Sequence, residues 1–179
     1  MAMNILLHLN GANNDITASP MNNGTSTNGN VNTDWPGAFA DLHNHSDGSP
    51  PSSGDLYKLI LVSQNHPGYN TRMVVAPSGV VYALVILDVT LANQFTINNP
   101  SQQAPGSSPD FPTDIIDEMN MLKAFNGLTE EMAMAYVLDE KNAGIALLKQ
   151  DANGNFKRIV TIKNTDANGN TSYTSNNCP

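Results

Sequence analysis

Cysteine and basic residues are both scarce in this chain, and each shortage removes a class of structure. The single cysteine, Cys178, lies next to the C-terminus, so the chain can form neither an internal disulfide nor a cysteine-based zinc cluster. The 8 Lys and Arg residues are scattered and are outnumbered by 16 Asp and Glu residues, which leaves a formal net charge of -8. No segment offers the basic surface that a phosphate backbone needs, so we expect no nucleic-acid partner.

Long apolar runs are also absent. No stretch reaches the roughly 18 apolar residues of a membrane span, and the N-terminal MAMNILLHLNG lacks the basic start and long apolar core of a signal peptide. We therefore expect a soluble chain with no membrane partner, and the compartment and oligomeric state stay open. A length of 179 residues suits a single domain.

Composition divides this domain into five consecutive parts. Asn, Gly and Thr with little apolar periodicity dominate the segment before residue 38, and prolines interrupt the chain around residues 98–112. The predicted parts are an extended or disordered N-terminal segment (1–37), a core that carries the candidate site (38–97), a proline-rich loop (98–112), an extension of helices and a hairpin (113–163) and a tail (164–179).

Apolar spacing and turn residues predict the secondary structure. Leu56, Leu59 and Ile60 recur at helical spacing, and Pro77-Ser78-Gly79 separates two runs rich in Val, Ile and Tyr. The predicted elements are a short strand over 5–9, a strand over 38–43, a helix over about 53–65, a hairpin over 72–76 and 80–88, helices over about 113–125 and 129–140, and a hairpin over 143–149 and 156–162. We expect an α/β fold whose mixed sheet is centred on the first hairpin.

The sequence DLHNHSDGSPPSSGD, from Asp41 to Asp55, concentrates the residues suited to chemistry. His43 and His45 are two residues apart, so on an extended strand both point to the same face. Asp55 begins the next helix and can return to that face. Two imidazoles and a carboxylate form a ligand set of catalytic zinc that leaves one position open for water. We therefore predict one Zn²⁺ per chain, bound by His43, His45 and Asp55.

The same residues resemble the JAB/MPN metallopeptidases, also called JAMM, in which His-x-His is followed by a serine and, three residues later, an aspartate. Here these are His43, His45, Ser52 and Asp55, and the resemblance covers about residues 38–90. It implies a JAB-like mixed sheet with flanking helices, zinc on the two histidines and the aspartate, and Ser52 as the catalytic residue that stabilises the oxyanion. The implied partner is a peptide or protein substrate, hydrolysed at a peptide or isopeptide bond by a terminal module of a larger bacterial protein.

Two features of the chain differ from the family pattern. The spacing between His45 and Ser52 is one residue shorter, and no glutamate precedes Glu118, although the family carries its general base on an earlier strand. Asp15, Asp34 or a late glutamate are candidate substitutes for this base. We rank above them a base on a strand further upstream in a longer natural chain, or a domain that binds metal without turnover.

Two other functions are compatible with the same motif. The first is a catalytically inactive JAB-like binding or structural module. The second is a PHP-type metallophosphoesterase, because DLHNHSDG is also similar to the start of that family. That family distributes further His and Asp ligands along a larger barrel, whereas His66 is the only histidine after this motif, so the peptidase is preferred.

Overall fold

The computed structural model describes residues 3–10, 15–20, 22–23, 37–105 and 107–177. Within these ranges the chain forms four helices and nine strands. The helices are α1 (Ser53–Asn65), α2 (Val89–Asn98), α3 (Thr113–Asn126) and α4 (Glu130–Glu140). The strands are β1 (Met3–Asn10), β2 (Asp15–Ala18), β3 (Asn22–Asn23), β4 (Ala38–Asn44), β5 (Thr71–Val75), β6 (Val81–Ile86), β7 (Ile145–Gln150), β8 (Phe156–Thr165) and β9 (Thr171–Asn177).

The strands form a mixed sheet in the order β2-β1-β4-β5-β6-β7-β8-β9, with β3 paired to β1. Only β4 and β5 pair in parallel among the described strands, and α1 joins them. Parallel neighbours need such a crossover because the chain must return to the end of the sheet where the first strand began before the second strand can start. The expected α/β class with a mixed sheet is confirmed, and the hairpin β5-β6 lies inside the sheet as predicted.

The helix α1 is held by its apolar face. Leu56, Leu59 and Ile60 are fully buried, and the helix contacts β5, β6 and α2. Burying each such side chain contributes about 1.5–3 kcal/mol. This anchoring fixes the N-terminal end of α1 beside the end of β4, which is where the candidate ligands meet.

The bounds of several elements agree with the sequence. The helix predicted over about 53–65 is α1, both predicted hairpins are present as β5-β6 and β7-β8, and the last two predicted helices are α3 and α4. Thr129 is the N-cap residue of α4, but its side chain makes no capping hydrogen bond. None of the helices in the described part of the chain is long and apolar enough to cross a membrane.

Four other elements of the described chain, α2, β2, β3 and β9, were not predicted. The helix α2 falls where no helix was expected, and Asp88 caps it by accepting hydrogen bonds from the backbone N–H groups of Thr90 and Leu91. The strand predicted over 5–9 is present as β1, which pairs with β4 and also with the unpredicted strands β2 and β3. The tail contains β9, which pairs with β8 across the turn 166–170. Asp34 lies outside the described residues.

Candidate metal centre

The two histidines reach the site from the C-terminal end of β4. His43 lies within the strand, and the backbone N–H of His45 donates to the carbonyl of Val75 at 3.1 Å. This bond prolongs the parallel pairing with β5 by one step beyond Asn44, so the chain stays extended through His45. Both imidazoles therefore point to one face of the sheet, as the spacing of two predicts.

Asp55 reaches the same point from the first turn of α1. Ser52 is the N-cap residue, and its Oγ accepts a hydrogen bond from the Asp55 backbone N–H at 3.2 Å. The backbone N–H and the hydroxyl of Ser52 both donate to Asp55 Oδ2, each at 2.8 Å. This is a capping box with aspartate in the third helical position. It turns the carboxylate back toward the histidines.

The three side chains form a compact triangle, in which Asp55 faces His43 with Oδ1 and His45 with Oδ2. His43 Nε2 lies 3.0 Å from Asp55 Oδ1 and 3.3 Å from His45 Nε2, and His45 Nε2 lies 3.3 Å from Asp55 Oδ2. Ligands about 2.0–2.1 Å from a tetrahedral zinc ion are separated by about 3.3 Å. The group can therefore hold a metal ion, and the three predicted ligands are brought together.

The tautomer of His45 is fixed by its surroundings. Its Nδ1 lies 3.1 Å from the carbonyl of Pro50, 3.3 Å from the carbonyl of Ser49 and 2.9 Å from Ser49 Oγ. A carbonyl oxygen only accepts, so Nδ1 carries the proton and Nε2 presents its lone pair to the site. Metal-binding histidines are oriented by this kind of outer hydrogen bond.

The lone pair of His45 Nε2 then faces a carboxylate oxygen, and two acceptors at 3.3 Å need a cation between them. Burial lowers the pKa of His45, but the hydrogen bond and charge of Asp55 outweigh this effect, so the pKa is raised. Burial likewise opposes ionisation of Asp55, yet the hydrogen bonds of His43 and His45 and the charge of Arg72 hold its pKa well below the usual range.

No protein-family model, curated protein or solved structure matched the chain. The function must therefore be argued from the geometry of the site. The resemblance to JAB/MPN peptidases accordingly rests on the motif residues alone.

Arg72 and Asp41 belong to this centre and were missed by sequence reasoning. They are directly paired in the parallel register of β4 and β5, and both are buried. Arg72 Nε donates to Asp41 Oδ1 at 3.0 Å and Nη2 donates to Oδ2, while Nη1 lies 3.7 Å from Asp55 Oδ1. The sequence did contain a signal for this ion pair, because each of two apolar strands carries a charged residue and a buried charge needs a partner.

A second chain of contacts supports His45 from the turn. Asp47 Oδ1 accepts hydrogen bonds from the backbone N–H of Ser49 at 3.0 Å and from its hydroxyl at 2.8 Å. These bonds lower the pKa of Asp47, the backbone bond most of all. Since Ser49 Oγ also contacts His45 Nδ1, Asp47 acts on the orientation of His45 through Ser49.

The other predicted site residues have hydrogen-bond or ion-pair partners of their own. Ser52 lies next to the metal ligands, but its hydroxyl proton is directed at Asp55. Glu118, the first glutamate of the chain, forms an ion pair with Lys141 at 3.2 Å. A general base therefore stays unassigned. A cleft of about 260 Å³ adjoins the start of α1, between Ser52 and Met134.

Proposed function

We propose that the protein is a zinc-dependent hydrolase of peptide or isopeptide bonds, with a JAB/JAMM-like metal centre at His43, His45 and Asp55. The observation that carries this proposal is the triangle of the three side chains, in which His43 Nε2 lies 3.3 Å from His45 Nε2 and 3.0 Å from Asp55 Oδ1. These distances are close to the separation of about 3.3 Å between ligands of a tetrahedral zinc ion. The motif order His-x-His, Ser, Asp supplies the choice of reaction.

The donor set supports zinc over other ions. Two imidazole nitrogens and one carboxylate oxygen suit zinc, whereas calcium and magnesium prefer sites made of oxygen atoms alone. Three protein ligands leave a fourth position for water or substrate, which is the pattern of catalytic zinc. The side chains of His43, His45 and Asp55 are 13%, 17% and 10% exposed, so the centre is partly open to solvent.

Bound zinc would supply an activated water, whose pKa it lowers to about 7. The chain's own residues would orient this centre. Ser49 and Pro50 hold His45 with its lone pair toward the ion, and Arg72 places positive charge near Asp55. For Ser52 to stabilise an oxyanion, its hydroxyl would have to transfer its hydrogen bond from Asp55 to the substrate, because a hydroxyl has one proton to donate.

The second candidate function is a metal-binding module without turnover. The hydrogen bonds of Asp41 and Asp47, the carboxylates nearest to the two histidines in the sequence, favour this module. Asp41 is fully buried, and both of its oxygens are bound by Arg72. Asp47 Oδ1 is bound by Ser49, which contacts His45 at Nδ1 and not at the metal-binding Nε2. A module of this kind binds the metal ion and needs no general base.

Metal content decides whether the centre exists. Protein purified without chelator or metal-affinity resin is measured by mass spectrometry as wild type, His45→Ala and His66→Ala. His66 provides the matched control because it removes an imidazole outside the triangle. We expect about one zinc per chain in wild type and His66→Ala and none in His45→Ala. Wild-type protein that holds no zinc, even after incubation with the ion, would refute both candidates.

Turnover separates the two candidates. The zinc-loaded protein is incubated with linear peptides and with peptides joined through a lysine side chain, and cleavage is followed by mass spectrometry. Cleavage that is lost in Asp55→Ala supports the hydrolase. A fully loaded protein that cleaves neither substrate class supports the module.

A further inference from the structure

The two oxygens of the Asp55 carboxylate are in different states. A carboxylate oxygen offers about two acceptor positions. Oδ2 receives two donors from Ser52, the backbone N–H and the hydroxyl, both at 2.8 Å. Oδ1 has neither of these donors, and its contacts are His43 Nε2 at 3.0 Å and Arg72 Nη1 at 3.7 Å. Oδ2 is thus saturated, and Oδ1 retains acceptor capacity on the side of His43.

We propose that Ser52 is a positioning residue of the metal centre, which reserves Oδ2 for the capping box and leaves Oδ1 as the single oxygen that binds the ion. This inference rests on the metal site proposed above. It gives Ser52 a role before any substrate arrives, separate from the oxyanion role that the resemblance implies. It also makes the first turn of α1 part of the site, since the same two residues cap the helix and orient the ligand.

The geometry of Oδ2 is consistent with this assignment. Oδ2 lies 3.3 Å from His45 Nε2, which presents a lone pair. An ion bound by Oδ1, His43 and His45 would relieve the repulsion between these two acceptors without displacing either Ser52 donor. If Oδ2 were released from Ser52, the carboxylate could bind through both oxygens, and the coordination number would rise by one.

Three variants isolate this role. Ser52→Ala removes the hydroxyl donor and keeps the backbone donor, while Ser52→Thr restores a hydroxyl. Ser53→Ala is the control, because the Ser53 hydroxyl donates to Asp110 Oδ1 at 2.6 Å. Each protein is titrated with Zn²⁺ against a chelating dye, and the Co²⁺-substituted proteins are compared by visible absorption, whose intensity falls as the coordination number of cobalt rises from four to six.

We expect Ser52→Ala to weaken zinc binding about 10-fold or more, which is the usual effect of losing an outer hydrogen bond to a metal ligand. Its cobalt spectrum should lose intensity as Asp55 becomes bidentate. Ser52→Thr should restore both properties, and Ser53→Ala should match the wild type. Loss of the helix cap alone would lower thermal stability without changing the cobalt spectrum of the folded protein.

The failure of this inference is distinguishable from failure of the metal site. If wild type binds zinc and Ser52→Ala binds it equally well with an unchanged cobalt spectrum, the positioning role is refuted and the metal site stands. If wild type binds no zinc, the proposed function and this inference are both refuted.

Discussion

Replacing Arg72 with methionine is expected to destabilise the fold strongly. Asp41 is fully buried, and its two oxygens are bound by the guanidinium of Arg72, whose side chain is 7% exposed. Methionine fills a similar volume but leaves the Asp41 charge without a partner. Removing one member of a buried ion pair costs about 3–5 kcal/mol. This loss is a large share of the roughly 5–15 kcal/mol that stabilises a domain. For a chain of this size it should lower the melting temperature by about 10 °C.

Urea unfolding at neutral pH and in the presence of chelator measures this loss without a contribution from metal. The double variant Asp41→Leu with Arg72→Met removes both charges and should recover most of the loss, since a buried pair adds little over an apolar pair of similar volume. The control is Arg158→Met, which removes a more exposed pair with Asp139 at 2.5 Å. That pair should contribute less than about 1 kcal/mol. An Arg72→Met protein that loses no more stability than Arg158→Met would refute the reasoning.

Three further outcomes are expected. Gly144→Ala should cost about 2–4 kcal/mol in urea unfolding, because its φ is +66° and a Cβ would lie 2.6 Å from the Asp88 carbonyl. Gly169→Ala, at a positive φ with open space around it, should cost only about 1–2 kcal/mol. Zinc affinity measured from pH 8 to 5 should fall as pH decreases through the raised pKa of His45, since the proton competes with the ion, and a flat profile would contradict metal binding at this imidazole. Chelation of the zinc-loaded protein should lower its melting temperature, with no change in Asp55→Ala.

The local elements of the fold were largely predictable. The helix α1 was predicted over about 53–65 and spans Ser53–Asn65, because its apolar spacing and its turn residues agree. The helix α2 was missed because VTLANQFTIN combines β-branched residues with asparagine, which have weak helix propensity. Its usable signal was Asp88, which caps it. Tertiary packing of Phe95 and Ala92, both buried, stabilises this helix where propensity does not.

The candidate site was predictable where its residues are close in the sequence. His43, His45 and Asp55 follow from a strand, a turn and a helix start, and the structure brings their ligand atoms together. The Arg72 contact depends on the parallel register of β4 and β5, which pairs Asp41 with Arg72. No local pattern specifies that register. The hydrogen bonds between Ser52 and Asp55 do follow from spacing, because Ser-x-x-Asp before an apolar run is the pattern of a capping box.

The location of all three ligands within residues 43–55 has a consequence for the unfolded chain. Bringing the ends of so short a segment together costs little entropy, so part of the affinity for zinc should survive without the sheet. Metal that binds both states stabilises the native state by less than its native affinity alone would give.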